Sequence, residues 1–105
     1  MSDAASTQKA ELFDAVKHGK IDKLRELVDA GANIEEPDSH GLRPLHFAAI
    51  TGSDEIASVL LSHGATVNGT SVRGTTPLHH AAKNGHNKCL AVLLEHTGGK
   101  FPLWL

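Results

Sequence analysis

Gly41-Leu42-Arg43-Pro44-Leu45-His46-Phe47-Ala48-Ala49 is followed, 33 residues along the chain, by Gly74-Thr75-Thr76-Pro77-Leu78-His79-His80-Ala81-Ala82. The same offset carries Gly52 to Gly85, Val59-Leu60-Leu61 to Val92-Leu93-Leu94, and His63 to His96. Equivalent positions before the first stretch hold Leu12, Ala15, Gly19, Leu27 and Gly31, all chemically matched. Three units in one register mark a repeat architecture, in which no unit can bury its apolar face alone.

Each unit reads as two short helices. Leu45, Ala48 and Ala49 are spaced i, i+3, i+4, as are Leu78, Ala81 and Ala82, and Leu12, Ala15 and Val16. That spacing collects them on one helical face. Small residues there let a second helix approach closely. Pro44 and Pro77 suit the first helical position, where no backbone donor is needed, and Thr76 is placed to cap the helix that Pro77 begins. Gly52 and Gly85 end these first helices. The second helices carry the longer apolar residues: Ile21, Leu24, Leu27 and Val28; Ile56, Val59, Leu60 and Leu61; Cys89, Val92, Leu93 and Leu94. Gly31 and Gly64 close the first two. Segments 34–43 and 67–76, rich in Asn, Asp, Ser and Gly, read as turns or hairpins.

A 33-residue helix-turn-helix unit with Pro-Leu-His-x-Ala-Ala and a later Leu-Leu-x-x-Gly-Ala resembles the ankyrin repeat. The resemblance covers about residues 8–98. It implies an all-α solenoid of stacked helix-turn-helix units joined by β-turn or hairpin loops, with a compact layout similar to small standalone, myotrophin-like members of the family. The expected organisation is a flexible N-terminus at 1–7, repeats at about 8–40, 41–73 and 74–98, and an apolar tail at 99–105. Unit one lacks the Pro-Leu-His signature, begins at Ser6 or Thr7, and carries Glu11, Asp14 and Lys17 on its other faces, as a polar cap would. Unit two has Arg43 where the family usually has Thr. His46 is therefore expected to lose a hydrogen-bond partner, leaving its hairpin looser. The tail, with Phe101, Leu103, Trp104 and Leu105, leaves three readings open: an improvised cap over the last repeat, the mark of a longer array, or a contact anchored by Trp104.

Composition narrows the function classes. With 40% hydrophobic and 21% charged residues among 105, the chain fits an ordinary folded domain. Aromatics at 4% leave Ala and Leu to fill the interior, which favours close-packed helices. A net charge of -2 without a basic run argues against nucleic acid. No apolar stretch is long enough to span a bilayer, and residues 1–7 do not read as a secretory signal. One cysteine, Cys89, allows no internal disulfide and agrees with a reducing compartment, so cytoplasm or nucleus is expected.

No catalytic or cofactor-binding constellation emerges. His79, His80, His86 and Cys89 lie close in sequence, but His79 repeats His46 within the structural motif and no Cys-x-x-Cys pair accompanies them, so no metal is expected. Cys89 falls on the core side of its helix, where an inert packed thiol belongs. Neither a Gly-x-Ser-x-Gly elbow nor a phosphate-cradling loop is present. The expectation is a non-enzyme that binds another protein, without a small-molecule substrate. Its rival is a structural piece or isoform of a longer ankyrin array whose function lies elsewhere.

The family resemblance also implies a binding surface on the hairpin tips and the concave, exposed side of the first helices. Position by position this gives Ser39, His40 and Leu42, then Val72, Arg73 and Thr75, on the tips. On the helices it gives Lys17 and His18, Ile50 and Thr51, and Lys83 and Asn84, with Phe47 and His80 bordering the groove. Apolar Ile50, Leu42, Phe47 and Val72 flanked by Lys17, Arg73 and Lys83 suit a protein segment carrying apolar and acidic residues. Asn68, after Val67 in the second turn, resembles ankyrin asparagines that an oxygen-dependent hydroxylase modifies; a plain turn Asn is the alternative.

Overall fold

A computed structural model describes residues 4–97. Among these residues it contains six helices: α1 (Ala4–Lys17), α2 (Ile21–Asp29), α3 (Pro44–Thr51), α4 (Asp54–Ser62), α5 (Pro77–Lys83) and α6 (Asn87–Thr97). Each unit is an antiparallel helix pair. α3 lies between α1 and α5, while α4 lies between α2 and α6, so first and second helices form two stacked layers. No described helix is long and apolar enough to cross a membrane. α1 starts at Ala4, inside the 1–7 stretch expected to be flexible and ahead of the Ser6 or Thr7 start. The tail from residue 98 onward, Trp104 included, lies outside the described residues.

The core follows the repeat register. Leu12, Leu24, Leu45, Ile56, Leu60, Leu78 and Leu93 are fully buried, with Ala15, Ala48, Ala57 and Ala81 between them. The alanines hold neighbouring helices close while leucines from the second layer fill the space behind. Cys89 is buried as expected, its Sγ 3.8 Å from the Ala48 carbonyl. Burial pushes the thiol up to about 11. One expectation fails at the end of the stack. Ala49 is fully buried by the third unit, but its equivalent Ala82 is exposed, because no described helix packs beyond α5.

Glycine placement also serves the joints between units. Gly52 ends α3 with φ of 78°. The His86 ring from the next unit lies directly over it, donating from Nε2 to the Ile50 carbonyl at 3.0 Å. A Cβ on Gly52 would come within 2.5 Å of that ring, whereas one on Gly85 (φ 71°) would meet nothing within 4 Å. Gly85→Ala should therefore cost about 1 kcal/mol from the left-handed backbone alone. Gly52→Ala should cost about 2–3 kcal/mol, since the His86 ring must also leave its bond. Urea unfolding of both variants checks this. Equal losses at the two positions would mean that the His86 contact contributes nothing.

Candidate functional site

The loops after α2 and α4 fold into tight turns. Asp38 N–H donates to the Leu42 carbonyl at 2.9 Å, and Ser71 N–H to the Thr75 carbonyl at 2.8 Å. Short polar side chains brace both turns: Asp38 Oδ1 accepts from the backbone of His40 and Leu42, and Ser71 Oγ accepts from Thr75 N–H. The two tips are then tied together, Val72 N–H donating to the His40 carbonyl at 3.0 Å. The approach is close enough that a Cβ on Gly41 would sit 2.7 Å from the Val72 nitrogen.

Beside the joined tips runs a groove of about 370 Å³. Eight residues singled out from the sequence line it: Ser39, His40 and Leu42 from the first tip, Val72, Arg73 and Thr75 from the second, and His80 and Lys83 from α5. Ser71 completes the lining. Sequence reading passed over Ser71, although it stands 33 residues after Asp38 and braces the second turn as Asp38 braces the first. Val72 is 78% exposed at the rim, an unusual setting for a branched apolar side chain. The lining carries Arg73 and Lys83 and no carboxylate.

Thr75 joins the groove wall to the helices beneath. Its hydroxyl lies 2.6 Å from Ser71 Oγ and 3.1 Å from His80 Nε2, while its carbonyl accepts from His46 Nε2 at 3.0 Å. His46 Nδ1 accepts from Arg43 N–H at 3.0 Å, so the proton of the neutral ring is on Nε2. The His46 and His80 rings meet edge to face with centroids 5.8 Å apart. Burial lowers the pKa of His46, opposed in part by the bond to Thr75 and helped by His80 and Arg43. Burial lowers that of His80 too, with further contributions from His79 and Lys83.

At the hairpin above α3, His46 has one of the two bonds seen at the equivalent place in the third unit, as the Arg43 substitution implied. At the third unit Thr76 N–H donates to His79 Nδ1 at 2.9 Å, and Thr76 Oγ1 accepts from His79 N–H at 3.3 Å. His46 keeps the first of these bonds, and its Nε2 donates to the Thr75 carbonyl. Arg43, having no acceptor, cannot supply the second. Its guanidinium instead lies against Gly69 in the next loop, where a Cβ would collide with it. Its Nε is buried without a hydrogen-bond partner.

Other singled-out residues sit elsewhere. Phe47 does not border the groove: it is half-buried, packed edge-on against Phe13 with centroids 5.4 Å apart. Lys17 lies over both rings, its Nζ 4.7 Å from the Phe47 centroid, an arrangement that favours a cation. Lys17, His18 and Thr51 line a separate, more polar groove between the first two units, with Asp54 and Glu55 opposite. Ile50 is half-buried beside the His86 contact, and Asn84 is exposed at the end of α5. Asn68 is exposed in the second loop.

A family model described as ankyrin repeats, in three copies, matches residues 12–102. The chain belongs to the ankyrin-repeat family. Such repeats generally mediate protein–protein interaction. Diacylglycerol kinase zeta of Rattus norvegicus is 41% identical over 61 residues, 58% of this chain and 7% of that protein. Myotrophin of Xenopus tropicalis is 38% identical over 52 residues, 50% of this chain and 44% of its own length. RelA-associated inhibitor of Mus musculus is 49% identical over 37 residues, 35% of this chain and 4% of that protein. The matched ankyrin stretch thus spans less than half of each of these relatives.

Proposed function

We propose that this ankyrin chain is a protein-interaction module, a scaffold, adaptor or inhibitor, that acts by occupying a partner's surface through its hairpin tips and the adjoining face of the first helices. The supporting observation is the groove: exposed Val72 and half-buried Leu42 stand beside Arg73 and Lys83 over a braced backbone. Covering a side chain such as Val72 is worth about 1.5 kcal/mol, and the fixed loops need little ordering on contact. The name of RelA-associated inhibitor and the family's general role are consistent with this reading. A cytoplasmic or nuclear setting goes with it. The reading is non-enzymatic, since the one thiol is buried and protonated at neutral pH.

Affinity capture from cell lysate tests it, comparing the chain with a Val72→Glu, Arg73→Glu variant. Both positions are exposed, so the helical content and unfolding midpoint of the variant should match the parent. Partners recovered by the parent should fall at least tenfold with the variant, the expected scale for losing an apolar and a charged contact together. Equal recovery by both chains would remove the groove from the binding surface.

A further inference from the structure

We propose that His80 couples the groove to pH, so that an acidic side chain of a partner entering beside Arg73 and Lys83 is taken up together with a proton on the His80 ring. The proposal rests on the groove being the partner-binding surface, and it specifies both the chemistry of the partner and the control of its binding.

The argument starts from what surrounds the ring. His80 is half-buried on α5 and lines the groove with Arg73 and Lys83. On its own helix it faces His79 and Lys83. From α3 the His46 ring meets it edge-on, and from the loop Thr75 Oγ1 lies 3.1 Å from its Nε2. Arg43 and Asp38 act on neighbouring His46. His40 lines the same groove from the first tip. Burial is the main resistance against protonating His80, and every charged group in the groove lining is a cation, with Lys83 adding to that resistance. The free protein therefore holds His80 neutral near neutral pH.

An incoming carboxylate reverses that balance. It is drawn by Arg73 and Lys83, and once seated it offsets the charges that oppose a proton on His80. The Ser71–Thr75 hydroxyl pair already accommodates a ring that donates from Nε2: Thr75 Oγ1 accepts from the imidazolium and donates onward to Ser71 Oγ. Protonation needs no rearrangement of the turn. Leu42 and Val72 in the same lining suit an aliphatic side chain next to the acid. The occupant this fits is an acidic segment with a flanking aliphatic residue.

Linkage fixes the sign. If binding raises the pKa of His80, affinity must strengthen as pH falls through the window between the bound and free values, by at most tenfold per pH unit for one proton. The test uses the tripeptide Leu-Glu-Leu, acetylated and amidated, with Leu-Gln-Leu as the uncharged control, followed by proton–nitrogen NMR of the whole chain. The Glu peptide should shift the Val72, Arg73 and Lys83 amides, raise the midpoint of the His80 ring titration, and bind threefold to tenfold tighter at pH 5.5 than at pH 7.5. The Gln peptide should show no such pH dependence. His80→Gln should abolish the pH dependence while His63→Gln, at an exposed position at the end of α4 and outside the groove, preserves it. Should His80→Gln not fold, the ring titration of the parent chain still decides. An unmoved His80 midpoint, equal behaviour of the two peptides, or no amide shift overturns the proposal. If lysate capture nevertheless depends on Val72 and Arg73, only the proton coupling has failed; if capture is indifferent to them, the binding surface itself has failed.

Discussion

Leu60→Ala is expected to destabilise the chain by about 3–4 kcal/mol, roughly what a fully buried leucine costs when the surrounding helices cannot collapse onto the space. Leu60 lies on α4, the second helix of the middle unit, with no exposed surface. α4 packs against α2 on one side and α6 on the other, so the cavity weakens both joints of the stack. A repeat array holds itself together by such nearest-neighbour contacts, and three units are about the minimum for stability. A domain of this size has about 5–15 kcal/mol in all, so the variant should fall well short of the parent in urea. Leu94→Ala is the comparison. Leu94 is half-buried on α6 in the last unit and should cost no more than about 1.5 kcal/mol. Equal urea midpoints for the two variants would contradict the placement of the core.

The fold was legible because helix pairing leaves a periodic trace. Pro44 and Pro77 start helices, Gly52 and Gly85 stop them, and alanines at one spacing mark the close joint, so the register alone located the buried leucines. The groove's lining came from another source: the ankyrin resemblance, not periodicity, pointed to the tips and first helices, and eight residues it implied lie around one groove. What escaped was lateral. That Phe47 meets Phe13 rather than the groove depends on the crossing of α1 and α3, which periodicity does not encode. That Arg43 reaches Gly69 depends on a missing side chain 26 positions later in the same unit. The exposure of Ala82 depends on what packs beyond α5, and no pattern within the third repeat specifies that.

His46→Ala should be nearly as damaging as Leu60→Ala, at about 3 kcal/mol, although the residue removed is polar. The ring is fully buried and spans two units, accepting from Arg43 N–H at the start of α3 and donating to the Thr75 carbonyl 29 positions later. Alanine leaves a cavity and deprives Arg43 N–H of its acceptor, and an unmade buried bond costs about 1–3 kcal/mol on top of lost packing. The same environment predicts a pH dependence. Because the folded-state pKa of His46 is lowered, the unfolded chain binds the proton more readily. Stability from this source is therefore full above about pH 6.5, the ordinary histidine value, and falls as pH drops through it towards the folded-state value. His79 and His80, lowered chiefly by burial, add in the same direction. Asp14 acts the other way round and further down: its carboxyl is lowered by Lys20 and His18, so its contribution is present above about pH 3.8 and disappears below. Urea midpoints should hold between pH 7 and 8 and decline between pH 6.5 and 5. His46→Gln, whose amide presents an acceptor and a donor but does not titrate in this range, should start less stable and decline less steeply. An undiminished acid decline in that variant would transfer the effect to the other histidines and leave His46 with a packing role alone.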